Sequence, residues 1–190
     1  GDTGRDWGEL ATPFGGTDPD TMQVTLINII NGGKNADSRL TFQECMIVPT
    51  KFDTFSEALR AGTGTFHALK KILVKKGHIT SVGDEGGFAP RVEGSEEAFD
   101  LLMEALHAAG YDGRIGLGID AAASEFYSKG KYDIDGSAIT SEELVDFYDA
   151  LSTRYPIITI EDSHAEDDWE GFSLMQARLG KRGMQLVGDD

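Results

Sequence analysis

Cysteine is nearly absent from this sequence. Cys45 is the single one among 190 residues, so an internal disulfide is excluded, and with no N-x-[ST] glycosylation signal the chain reads as one made for a reducing compartment. Cationic side chains are scarce too: 17 Lys and Arg stand against 33 Asp and Glu, for a net charge of −16. Such a field repels phosphate backbones and anionic lipid surfaces, which excludes nucleic acid as an expected partner. It also repels small anions, so an acidic enzyme acting on a phosphorylated substrate would need bound metal. No apolar run approaches the ~18 residues of a membrane span. The N-terminus is polar instead of charged-then-apolar, so neither a span nor a secretory signal is read, and a cytoplasmic location is expected. The start at Gly1 without Met reads as processing or excision from something longer. No GxxxxGK[ST] occurs, and no GxGxxG follows the first strand, so the phosphate cradles of nucleotide-binding folds are missing.

What is present is a globular pattern, 39% apolar and 26% charged, enough to bury a substantial core. Residues 1–16, GDTGRDWGELATPFGG, have no apolar period and read as a linker or domain-entry segment. TMQVTLINII and LTFQECMIV, separated by the turn-forming NGGKNADSR, read as two neighbouring strands. A helical stretch capped by Asp53 follows, with Gly62 and Gly64 able to split it in two, and ends at Gly77. HITSVGDEGG reads as a third strand, and SEEAFDLLMEALHAAG as a helix capped by Ser95. IGLGID is a fourth strand, TSEELVDFYDALSTRYP a helix with a Thr140–Glu143 capping box, and PIITIED a fifth strand. A helix bearing Trp169, Phe172, Met175 and Leu179 then precedes a sixth strand, MQLVGDD. Short apolar strands alternating with amphipathic helices indicate an α/β fold with parallel strands, and without a nucleotide cradle the (β/α)-barrel is the preferred form.

In a barrel the C-terminal strand ends share one mouth, where catalytic groups sit. Here Asp120, Glu161 and Asp189 close three consecutive strands, with Asp84 and Glu85 closing an earlier one. A single acidic strand end is commonly a cap for the next helix. Three in succession would repel one another unless a hard divalent cation with oxygen ligands drew them together, and with no Cys or His beside them Mg²⁺ suits better than zinc. Glu85 lies among glycines in VGDEGGFAP, where a raised carboxyl pKa would support general acid catalysis. Residues 131–142, KYDIDGSAITSE, match a calcium loop at Asp133, Asp135, Gly136 and Glu142, yet Lys131 occupies the first ligand position and opposes calcium. The four histidines form no metal-spaced pair. His67 and His107 belong to helices, and His164 is placed to reach the mouth. Cys45 reads as a small core residue.

With INGGKNADS, FQECMIVP, VGDEGGFAP, DAAASEFY, TIEDS and QLVGDD in this order, the chain resembles the enolase family from about residue 16 onward. The resemblance implies that 17–190 are the first part of an enolase-type (β/α)8 TIM barrel, opening with two strands before the helices. It implies the reversible dehydration of 2-phosphoglycerate to phosphoenolpyruvate through a Mg²⁺-stabilised enolate, as in glycolysis. Asp120, Glu161 and Asp189 match the family's magnesium ligands, Glu85 matches the acid assisting departure of the 3-hydroxyl, and Gln43 and Glu44 match substrate-side residues. Asn35 stands where the family usually has a substrate-contacting His, and it carries no proton that titrates near neutrality. That departure opens a related substrate, as in the carboxyphosphonoenolpyruvate synthases. The family's N-terminal domain, its lysine base and its phosphate-binding His-Arg-Ser loop have no counterpart in these residues, so the expectation is a piece of a longer protein or a non-catalytic binding fragment. A homodimer is implied for the full-length protein.

Overall fold

The computed structural model describes residues 24–83 and 86–189, without the side chain of Asn35. The segment 1–16, Glu85 and its neighbour Asp84 therefore lie outside the described residues. In chain order the elements are β1 (Ile27–Asn31), β2 (Glu44–Pro49), α1 (Phe55–Lys76), α2 (Ser95–Ala109), β3 (Ile115–Asp120), β4 (Tyr127–Ser128), β5 (Lys131–Ile134), β6 (Ser137–Ile139), α3 (Ser141–Arg154), β7 (Ile157–Glu161), α4 (Trp169–Arg178) and β8 (Gln185–Val187). Five strands form one sheet in the order β1-β2-β3-β7-β8, and β4, β5 and β6 form a small second sheet. The opening strands pair antiparallel, β1 with β2 and β2 with β3. From β3 onward pairing is parallel, through β7 to β8. Helices α3 and α4 are the connections that parallel pairing requires. This is the mixed α/β opening of a TIM barrel, and among the described residues the sheet stays open. No described helix is long and apolar enough to cross a membrane.

The apolar periods explain the packing. In β3 every residue but Asp120 is buried, as expected for a strand covered on both faces. One stripe of α1, including Ala58, Ala61, Leu69, Ile72 and Leu73, is buried, and Ala98, Leu101, Leu102 and Ala105 form the buried stripe of α2. Phe66 on α1 stacks on Phe88 at 4.3 Å between ring centroids, tying α1 to the segment that follows Glu85.

Four local expectations are corrected. Helix α1 is continuous: its glycines are there for approach, because a Cβ on Gly62 would collide with the Ile27 side chain and one on Gly64 would press on Tyr111 at 3.4 Å. Its cap is Thr54, whose hydroxyl accepts from Glu57 N, not Asp53. Helix α2 is capped at Gly94, with Ser95 as its first residue. Among the described residues of HITSVGDEGG the expected strand is reduced to an isolated bridge of Val82 with Phe88, which also bridges to Ile30. The Thr140–Glu143 capping box is present in both directions.

The calcium-like run is a hairpin. Asp135 and Gly136 both have positive φ, 48° and 83°, and form the two-residue turn between β5 and β6 that Asp-Gly favours. Tyr132 on β5, fully buried, anchors this hairpin. Its hydroxyl donates to Asp168 Oδ2 at 2.7 Å and accepts from Ala165 N at 3.0 Å, while Asp168 Oδ1 caps α4 by accepting from Gly171 N at 2.9 Å. Tyr132→Phe strands one buried N–H and a carboxylate oxygen, at a cost of about 2 kcal/mol, or roughly 4–8 °C in Tm. Thermal unfolding checks this, and an unchanged Tm would show that the network carries no stability.

Candidate active site

One row of the sheet holds most of the candidate groups. Asn31 pairs with Glu44, Glu44 with Asp120, Asp120 with Glu161, and Glu161 with Val187. Because β2 runs opposite to its neighbours, its first residue meets the last residues of β1 and β3, and β7 and β8, parallel to β3, end in the same row, so the whole row lies along one edge of the sheet. Neighbouring strands stand about 4.8 Å apart, which sets Glu44, Asp120 and Glu161 side by side. Asp189 follows two residues after Val187.

Sharp turns immediately beyond the row fix the carboxylates. Ala122 and Asp162 take left-handed φ values of 47° and 45°, unusual for residues with a Cβ. They turn the chain back over the strand ends, where Ala121 N donates to Glu161 O at 3.0 Å and Ala123 N to Asp162 O at 3.1 Å. Asp120 accepts from Ala122 N at 3.1 Å through Oδ1 and from the Gln43 amide at 3.4 Å through Oδ2. Asp162 accepts from Asp189 N at 2.9 Å, so it holds in place the second residue past the end of β8. Sequence reasoning passed over Asp162, although its place beside Glu161 was the available signal.

Glu161 reports the electrostatics. Its carboxyl is pushed above the ordinary value by burial, then by the Asp162 and Asp189 carboxylates. Among the described residues, no three His, Cys, Asp or Glu side chains already converge as a metal cage would require. The donor set nevertheless suits a hard divalent cation: all the candidate groups offer oxygens, and a cation would offset the repulsion that adds to burial in raising Glu161.

Gln43 lies beside Asp120, to which its amide donates, and Glu44 lies in the row. Asn35 lies in a short 3₁₀ turn, Gly33–Asn35, within a loop closed by Gly33 N to Leu40 O at 2.8 Å and Gly32 N to Gln43 O at 3.0 Å. Lys34 pairs with Glu125 in the segment after β3, and Arg91 pairs with Asp37 at 2.5 Å.

His164 turns away from the mouth. It is 1% exposed, with Nε2 3.2 Å from Ser141 O and Nδ1 3.1 Å from the Ser163 hydroxyl. A carbonyl can only accept, so the proton belongs on Nε2, and Nδ1 accepts from Ser163. Burial depresses its pKa below 6.5. A depressed folded value means the unfolded chain takes up the proton first, so stability present above 6.5 falls as pH drops through the folded value. The fall in Tm between about pH 6.5 and 5 should be shallower in His164→Gln than in the wild type. Parallel slopes in the two proteins would contradict this. Cys45 is buried and its thiol is pushed up, first by that burial and then by Asp135 and Glu44, which suits a core residue and not a nucleophile.

A sequence model of the enolase C-terminal TIM barrel domain matches residues 19–190.

Proposed function

We propose, from the premise that this chain belongs to the family of the enolase C-terminal TIM barrel domain, that its site dehydrates 2-phosphoglycerate reversibly to phosphoenolpyruvate. Membership carries the lyase-type chemistry of the enolase superfamily; the substrate is our reading. The observation that carries it is the row of Glu44, Asp120 and Glu161 along one sheet edge, with Asp189 pressing on Glu161.

In this reading Asp120, Glu161 and Asp189 hold Mg²⁺. The ion supplies the positive charge that offsets what builds on the substrate carboxylate when the neighbouring C–H loses its proton. The protein's own groups do the rest. Gln43 and Glu44 orient the substrate from the β2 side. Glu85 delivers a proton to the departing 3-hydroxyl, so the C–O bond breaks with water as the product and the carbon–carbon double bond forms. The base that takes the C–H proton is assigned to none of the described residues. A cytoplasmic location and a homodimer go with this reading.

The protein carrying this chain should produce the ultraviolet absorbance of phosphoenolpyruvate when given 2-phosphoglycerate and Mg²⁺, and no absorbance change at any Mg²⁺ concentration would sink the proposal. Asn35 favours a second reading, a related phosphorylated or phosphonylated substrate, because it replaces a titratable contact with a neutral amide. Asn35→His decides between them. A gain in activity on 2-phosphoglycerate would show that Asn35 tunes substrate choice, and no change would remove the second reading.

A further inference from the structure

We propose that Asp135 is a positioning residue that holds Gln43 and Glu44 in place through Thr41; the catalytic part of this proposal rests on the functional reading above. Asp135 sits at the hairpin turn, where its left-handed backbone turns the carboxylate toward the N-terminus of α2. There Oδ2 accepts from Ser95 N at 2.8 Å. The α2 cap, Gly94, offers no side chain, and a Cβ there would stand 3.0 Å from Asp135 Oδ2. Glycine at 94 thus admits a carboxylate from a distant part of the chain, with a charge that suits the helix end.

The other half of the residue faces the substrate loop. Asp135 N donates to Thr41 Oγ1 at 2.9 Å, and the Thr41 hydroxyl donates to Asp135 Oδ1 at 3.4 Å. Capping α2 would need only the Ser95 contact. The reciprocal pair with Thr41 does nothing for α2, but it pins the arm of the loop that runs into β2. Two residues on, Gln43 donates to Asp120, and Glu44 pairs with Asp120 in the row. The same loop is stitched to the segment after Glu85, with Arg39 N donating to Val92 O at 3.1 Å and Val92 N to Ser38 Oγ at 3.2 Å. Asp135 therefore grips both the loop before β2 and the start of α2, which closes that segment.

The test compares wild type, Asp135→Gly, Asp135→Asn and Thr41→Val by hydrogen–deuterium exchange over residues 40–45 and by turnover of 2-phosphoglycerate. Glycine keeps the left-handed turn and deletes the carboxylate. Asparagine also tolerates that turn, and can accept from Ser95 N while donating to Thr41 Oγ1. Asp135→Gly and Thr41→Val should speed exchange over 40–45 and lower kcat by about 10- to 100-fold with a smaller change in KM. Asp135→Asn should restore both. If Asp135→Gly does not fold, Thr41→Val gives the same reading, because it cuts the latch from the loop side and leaves the α2 cap intact. Unaltered exchange over 40–45 in Thr41→Val overturns the proposal, as does unaltered kcat in an active protein. Faster exchange in the variants, with no turnover even in the wild type, would instead overturn the substrate reading and leave the latch standing.

Discussion

Replacing Glu161 with glutamine is expected to abolish the rise in Tm that the proposed Mg²⁺ site predicts for the wild-type protein, and to raise the Tm measured without divalent cation. The two effects have opposite signs because they come from the same charge. In the folded chain the Glu161 carboxyl is held above its ordinary value by burial and by Asp162 and Asp189, so its ionised form weakens the fold. A raised folded pKa means that the folded chain holds its proton more firmly than the unfolded one; the penalty is absent below the ordinary value and complete once pH has risen through the folded one. A neutral amide of the same shape removes that penalty at neutral pH. It also removes a negative charge from the proposed Mg²⁺ site. At a Mg²⁺ concentration of about 100 times Kd, the proposed binding would stabilise the wild type by about 2.7 kcal/mol, or roughly 5–10 °C in Tm, and the variant should lose nearly all of this. Paired melts with Mg²⁺ and with chelator check both halves. A variant that keeps the Mg²⁺ shift would show that Glu161 is not a ligand.

The second large effect is expected from Asn31→Asp. Asn31, 2% exposed, ends β1 in the same row as Glu44 and Asp120. Its amide donates to Gly87 O at 3.0 Å, its Oδ1 accepts from Asn28 at 2.6 Å, and its backbone N–H donates to Phe88 O at 2.8 Å. Those contacts hold residues 87 and 88, shortly after Glu85. Glycine is required on the facing side, since a Cβ on Gly83 would collide with the Asn31 amide. Aspartate has the same shape but turns a donor into an acceptor, setting a buried carboxylate oxygen against the Gly87 carbonyl. A cost of about 3 kcal/mol or more is expected, some 6–12 °C in Tm, together with a loss of turnover larger than in Asn31→Ala. Denaturant melts and activity on both variants test this. Equal stability of Asn31→Asp and wild type would mean that the amide is not the tie between β1 and the segment after Glu85.

The elements that could be read from the sequence are those whose burial leaves a period. Strands β3, β7 and β8 are short apolar runs, and α2, α3 and α4 have one apolar stripe each, so both their type and their place follow from local pattern. Asp120 and Glu161 could be found for the same reason, since the apolar runs stop at them. What stayed hidden depends on partners far along the chain. The carboxylate that accepts from the first N–H of α2 belongs to Asp135, forty residues from Ser95 in numbering, and no local rule would supply it. Gly62 looks like a helix breaker until Ile27 is seen against it. Residues 131–142 carry a calcium-like spacing that Lys131 already opposes, and the pairing of β5 with β6 shows that its content is an Asp-Gly turn. His164 follows an acidic strand end, yet the chain turns at Asp162 and carries it into the core. The row itself needs the antiparallel register of β2, which brings Glu44 to the same edge as groups more than seventy residues later.

The central claim is that the strand-end carboxylates hold a divalent cation, and isothermal titration calorimetry with Mg²⁺ tests it most directly. The protein should give a saturating isotherm that vanishes when Asp120, Glu161 and Asp189 are replaced together by Asn, Gln and Asn. An isotherm that survives the triple replacement, or none in the wild type, would contradict the claim.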